Sequence, residues 1–132
     1  SNLKIKIVGA TPHASAYKSI SMLGLGKQNI DVIDTLPERE RMDIDALKKY
    51  LIKNQEHTII VLASSGTVNT GDFDDLVEIA ELKKQFNFWL HVDGAFGAFA
   101  ACSPERAHHM KGINEADSIT VDAHKWLNVP YD

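Results

Sequence analysis

Within five residues this chain sets a carboxylate, an imidazole, a primary amine and an indole: Asp122, His124, Lys125 and Trp126. They follow a short β-like run, Ser118 to Val121, so the amine leaves the end of a strand. A lysine there, next to a histidine and three after an aspartate, has the make-up of an amine held in a site rather than one left in water. A second acid, Asp93, closes the apolar run Phe88-Trp89-Leu90-His91-Val92. A carboxylate in that position is expected to be desolvated, and it then needs a cation, a metal or several donors. Period-two alternation puts His91 on the same face as Asp93. The chain has no His-x-x-x-His or Cys-x-x-Cys spacing, and His108-His109 falls in a stretch that reads as a solvated helix, so no metal site is expected.

Nucleotide and esterase chemistry lack their signatures. Gly24-Leu25-Gly26-Lys27 has neither the upstream glycine nor the Ser/Thr of a phosphate loop, no Gly-x-Gly-x-x-Gly follows a strand, and no Gly-x-Ser-x-Gly occurs. A strand-end lysine, a buried aspartate and a histidine at a helix start (His13) remain. That set suits pyridoxal phosphate (PLP): the lysine forms a Schiff base, the acid partners the pyridinium nitrogen, and the ring is an electron sink.

The elements that must carry these groups follow a regular rhythm. Strands are expected at Leu3–Val8, Asn29–Thr35, His57–Ala63, Phe88–Val92 and Ser118–Val121, the third apolar enough to be buried on both faces. Between them the pattern predicts helices. Thr11-Pro12 should cap one that buries Ala16, Ile20 and Leu23 and stops at Gly24. Asp43 should cap the next, with Ile44, Leu47 and Leu51 inward, after a solvated turn at Pro37–Arg41. A third should run from Asp72 to Phe86, and a short one should follow Pro104. Strands spaced by helices make an α/β fold, a three-layer, mainly parallel sheet with helices on both faces. In such sheets ligands lie outside the carboxyl ends of the strands. Four of the five exits carry polar groups: Thr11 and His13, Ser64 to Asn69, Asp93, and His124 with Lys125.

At 132 residues the chain has one domain's length, and its net charge of −4 gives no basic footprint for nucleic acid. No apolar run approaches the ~18 residues of a membrane span. A single cysteine, Cys102, suits a reducing, cytoplasmic setting. Ser1-Asn2 reads as a cleavage scar, and the end after Pro130-Tyr131-Asp132 is abrupt, so a piece of something longer is expected.

His91-Val92-Asp93-Gly94-Ala95-Phe96-Gly97 and Asp122-Ala123-His124-Lys125-Trp126 resemble the paired signatures of the group II PLP-dependent amino-acid decarboxylases, enzymes with the fold type I (aspartate aminotransferase-like) architecture. The likeness extends through His13-Ala14-Ser15, Leu23-Gly24-Leu25-Gly26, Met42-Asp43, Gly66-Thr67 and Asp74-Asp75-Leu76 to Leu127–Asp132. It implies that residues 1–132 are the central part of the PLP-binding large domain, without an N-terminal segment and a C-terminal small domain. It further implies Lys125 as the Schiff-base lysine, Asp93 as partner of the ring nitrogen, His13 stacked on the ring and Ala95 against the opposite face. Thr67, Asp122 and His124 would lie around the cofactor and its phosphate. The implied reaction is decarboxylation of an L-amino acid to the amine and CO2, in a homodimer. The alternatives are a carbon-carbon lyase or aminotransferase of the same fold type, or a truncated, non-catalytic piece. Two positions depart from the family pattern: Val68, where a second threonine is common, and Asp122, where asparagine is.

Overall fold

A computed structural model describes residues 4–130; Leu3 of the expected first strand, and Tyr131 and Asp132 of the resemblance, lie outside the described residues. Five strands, β1 (Ile5–Gly9), β2 (Ile30–Val32), β3 (Thr58–Ser64), β4 (Trp89–Asp93) and β5 (Ser118–Thr120), form one sheet. Every pairing is parallel and the order is β2-β1-β3-β4-β5. All five exits therefore share one edge. The strand order reverses between β1 and β3, which makes that gap the topological switch point.

Three helices cover the sheet: α1 (Ala14–Met22), α2 (Ile44–Lys53) and α3 (Leu76–Lys83). The core lies under α2 and α3, where Leu47, Leu51, Leu76 and Ile79 pack on Val8, Val61, Leu90 and Val92. Each such fully buried side chain contributes about 1.5–3 kcal/mol. Asp43 caps α2 as its sequence predicts, accepting from Asp45 N at 2.9 Å and Ala46 N at 3.3 Å.

Several elements differ from expectation for identifiable reasons. The cap of α1 is His13, whose Nδ1 accepts from Ser15 N, because the Thr11 hydroxyl turns instead to the Glu40 carbonyl. No residue of α1 is buried, and Leu23 is exposed. Helix α3 starts at Leu76, capped by Asp75, and not at Asp72. The acids just before it are engaged elsewhere: Asp72 binds Arg39, and Asp74 accepts from Met42 N at 2.6 Å and Ser64 N at 2.7 Å. Phe86 lies past the helix end yet still packs on the core. β2 is shorter than expected, preceded by a 3₁₀ turn (Lys27–Asn29), while Thr35 forms an isolated antiparallel bridge with Met42. The stretch after Pro104 makes 3₁₀ turns (Ala107–Met110, Ile113–Glu115) in place of a helix. β3 is buried on one face only: Ile59, Val61 and Ala63 are covered, whereas Ile60, Leu62 and Ser64 are half-exposed on the α1 side.

Candidate active site

At the shared edge, a cavity of about 260 Å³ is walled by groups from four strand exits: His13 after β1, Ser64 and Thr67 after β3, Asp93 ending β4, and Lys125 after β5. Glu40 and Phe96 complete its rim. It adjoins a wider gap of about 750 Å³ between α1 and the half-exposed sheet face, which His13, Asp93 and Lys125 also line together with Asp122.

Backbone bonds fix these exits against one another. Ser65 N donates to Asp93 O at 2.9 Å, and Gly94 N to Thr120 O at 2.9 Å, so the ladder runs on past the named strands. The turn after β4 then folds onto β3. A Cβ on Gly97 would fall inside the carbonyl group of Ser65, so only glycine allows that approach. This closeness sets Phe96 at the cavity rim. Trp126 Nε1 donates to the Phe96 carbonyl, tying the two signature segments together.

Lys125 occupies the 3₁₀ turn Ala123–Lys125 directly after β5. Its Nζ forms an ion pair with Asp122 and stands 4.2 Å above the centre of the Phe96 ring, a cation–π distance. Asp93 is half-buried rather than desolvated, since its face of the sheet carries only α1; its Oδ1 accepts from Ala95 N at 3.1 Å. His91 shares that face. Its Nδ1 lies 2.8 Å from Ser118 Oγ and its Nε2 3.2 Å from Thr120 Oγ1. Burial pushes this imidazole below its ordinary value, against the pull of Asp93, so it is neutral at pH 7. Among the described residues no group of three or more His, Cys, Asp or Glu side chains is arranged to hold a metal ion.

His13 sits at the cavity because it caps α1. With Nδ1 accepting from the backbone, the neutral ring carries its hydrogen on Nε2. Thr67 lies in a tight loop held by Thr67 N to Asp72 O and Gly71 N to Thr67 O, each 2.9 Å. Ala95 and His124 are half-buried near the edge, but neither lines the two cavities. Phe96 and Glu40 are the wall residues that sequence reasoning passed over. Phe96 stood inside the quoted signature with no role attached. Glu40 read as part of a solvated turn, and its partners Asn69 and Thr70 lie about thirty positions away, beyond the reach of any local pattern.

Residues 4–132 match the pyridoxal-dependent decarboxylase conserved domain. The chain belongs to that family. It is 38% identical over 123 residues to an aromatic-L-amino-acid decarboxylase of Bacillus atrophaeus, covering 91% of this chain and 25% of the relative. It is 36% identical to an acidic amino acid decarboxylase of Mus musculus, covering 93% of this chain and 23% of that one. The crystal structure of Oryza sativa TDC with PLP superposes with a TM-score of 0.86 at 28% identity, covering 98% of this chain and 28% of that one. The chain thus spans about a quarter of the length of the curated relatives it matches.

The side chains present fit the family's cofactor. Pyridoxal phosphate needs an amine, a carboxylate for its ring nitrogen and a flat partner for its ring. An amine (Lys125), a carboxylate (Asp93) and a flat ring (His13) border one cavity, which is the set of groups such a cofactor would need.

Proposed function

We propose that this chain is the central part of the large domain of an enzyme that decarboxylates an L-amino acid to the amine and CO2. The observation that carries the reading is the convergence of Lys125, Asp93, His13 and Thr67, from four separate exits, on one cavity. Lys125 would hold pyridoxal phosphate through its amine, Asp93 would set a carboxylate against the ring nitrogen, and His13 would lie along the ring. When bound, that group supplies a sink for the electron pair left on Cα as the carboxylate departs. Asp93 keeps that sink effective, since a carboxylate within ~4–6 Å favours the protonated form of a basic nitrogen by about 1–3 pKa units. Lys125 must first leave its ion pair with Asp122. His13, with its hydrogen on Nε2, offers a donor on the cavity side of α1. Ala95 would buttress Asp93 through its amide, while His124 and Asp122 would steer Lys125 from the same turn.

The family supports an amino-acid substrate, but its named members act on side chains as different as aromatic and acidic ones, and the present walls do not choose between them. A homodimer in the cytoplasm is part of the same proposal; among the described residues no helix is long and apolar enough to cross a membrane.

Lys125→Ala in the full-length protein is expected to abolish CO2 release from every amino acid the parent accepts. Release of CO2 at the parent's rate would refute the assignment. Transfer of the amino group without CO2 would move the protein to another reaction of the same fold type.

A further inference from the structure

Asp122 and Phe96 come from different signature segments and meet on one atom, the Nζ of Lys125. Asp122 opens the turn Ala123–Lys125 but makes no capping bond, so its carboxylate is not drawn to the backbone. Residues three apart in a 3₁₀ turn stand one above the other, which brings that carboxylate onto the amine. Phe96 forms a second wall, with its ring centre 4.2 Å from Nζ. Its place does not depend on Lys125. Trp126 Nε1 donates to its carbonyl, and the glycine after it lies so near β3 that a Cβ on Gly66 would come within 3.1 Å of Gly97 N.

These walls suit an ammonium in general. A primary ammonium has three N–H donors and no acceptor, the carboxylate takes one of them, and the ring face attracts the charge. An alcohol would gain little from either wall, and an anion would be repelled by Asp122. Both side chains of the ion pair are mostly buried, with 25% and 26% exposure, so water screens it only in part. Among the described residues lining the two cavities, Lys125 is the only lysine or arginine, so no other cation there competes for Asp122.

We propose that Asp122 and Phe96 form a binding site for a primary ammonium, occupied by Lys125 until its amine is drawn to the cofactor, and then taken by the amino group of the arriving substrate. Asp122 is thereby assigned to the amine and not to the phosphate, which would face a like charge there. That the ligand is an amino acid rests on the function proposed above; the ammonium site itself does not.

The test uses cofactor-free full-length protein and n-propylammonium, whose three carbons and nitrogen replace the atoms that Lys125→Ala removes. The uncharged control is 1-propanol, and binding is followed by ligand-observed NMR. Lys125→Ala is expected to prefer propylammonium over propanol by about three- to tenfold, whereas the parent, whose own amine fills the site, shows no such preference. Adding Asp122→Asn should abolish the preference, and adding Phe96→Leu should reduce it by about two- to fivefold. No preference in Lys125→Ala, or an equal one after Asp122→Asn, overturns the site. A second measurement needs no change at Lys125. Under reductive methylation with formaldehyde, mapped by peptide mass spectrometry, Lys125 should react about three- to tenfold faster in Asp122→Asn than in the parent, relative to the other lysines. Equal rates overturn the site, and this result decides alone if Lys125→Ala does not fold. In the working enzyme Asp122→Asn should raise KM for the amino acid by a similar factor, and an unchanged KM overturns the substrate's amino group as the ligand. If the propylammonium preference holds but pyridoxal phosphate does not attach to the parent's Lys125, the functional reading fails and the ammonium site stands.

Discussion

The Lys125 amine rests 4.2 Å above the centre of the Phe96 ring, so the two signature segments meet through a cation and an aromatic face. An exposed contact of this kind contributes about 0.5–1 kcal/mol, provided the amine is charged. Phe96→Leu should therefore lower the stability of the cofactor-free protein by about that much. In a Lys125→Met background, which has no charge to set over the ring, the difference should shrink. Denaturant midpoints of the four proteins check this, and an equal difference in the two backgrounds would contradict it.

His13 carries two separable jobs, capping α1 and facing the cavity. His13→Ala should cost about 0.5–2 kcal/mol of stability through the lost cap, whereas His13→Asn, a good cap, should recover most of it. Neither variant should restore the imidazole's contribution to cofactor affinity. Thermal melts of the cofactor-free protein, paired with cofactor titration, distinguish the two. Recovery of full affinity by asparagine would remove His13 from the proposed site.

Asp74 gives stability an unusual pH dependence. Burial pushes its carboxyl up to about 6, against the pull of the Ser64 and Met42 amides and Arg41. Its folded value thus lies above the ordinary 3.8, so folding takes up a proton between the two. The stabilisation is fully present below the ordinary value and is lost as pH rises through about 6, a change on the order of 2–3 kcal/mol. Asp72 and Asp117 act in the opposite sense. Arg39 and Lys83 hold them below the ordinary carboxylate range, so their contribution is present above that range and lost in acid. The parent's denaturant midpoint should fall between pH 5 and pH 7, and that fall should flatten in Asp74→Asn. An unchanged slope in the variant would contradict the account.

The same acid marks the limit of what the sequence shows. Asp43 could be read as a cap because its partners, Asp45 and Ala46, are two and three residues away. The third helix should by its pattern open at Asp72, yet it starts at Leu76, because Asp72 is held by Arg39 and Asp74 is drawn off by Met42, thirty-two residues upstream. Parallel strands, their order of appearance and the gathering of polar groups at one edge were legible because apolar runs and strand exits are local features. The open face of β3 was not, since Ile60 and Leu62 look as apolar as Val61, and only packing shows that one side is covered. The residues of the two signatures were legible as chemistry, but the ion pair of Lys125 with Asp122 and the reach of Glu40 to Thr70 depend on side-chain geometry that no spacing encodes.

The central claim is that Lys125 is the amine that holds the cofactor. Full-length protein incubated with pyridoxal phosphate, reduced with borohydride and mapped by peptide mass spectrometry should carry the pyridoxyl mass on the peptide containing Lys125, with no label at that peptide's counterpart in Lys125→Ala. Label at a different lysine, or label undiminished in the variant, would contradict the account.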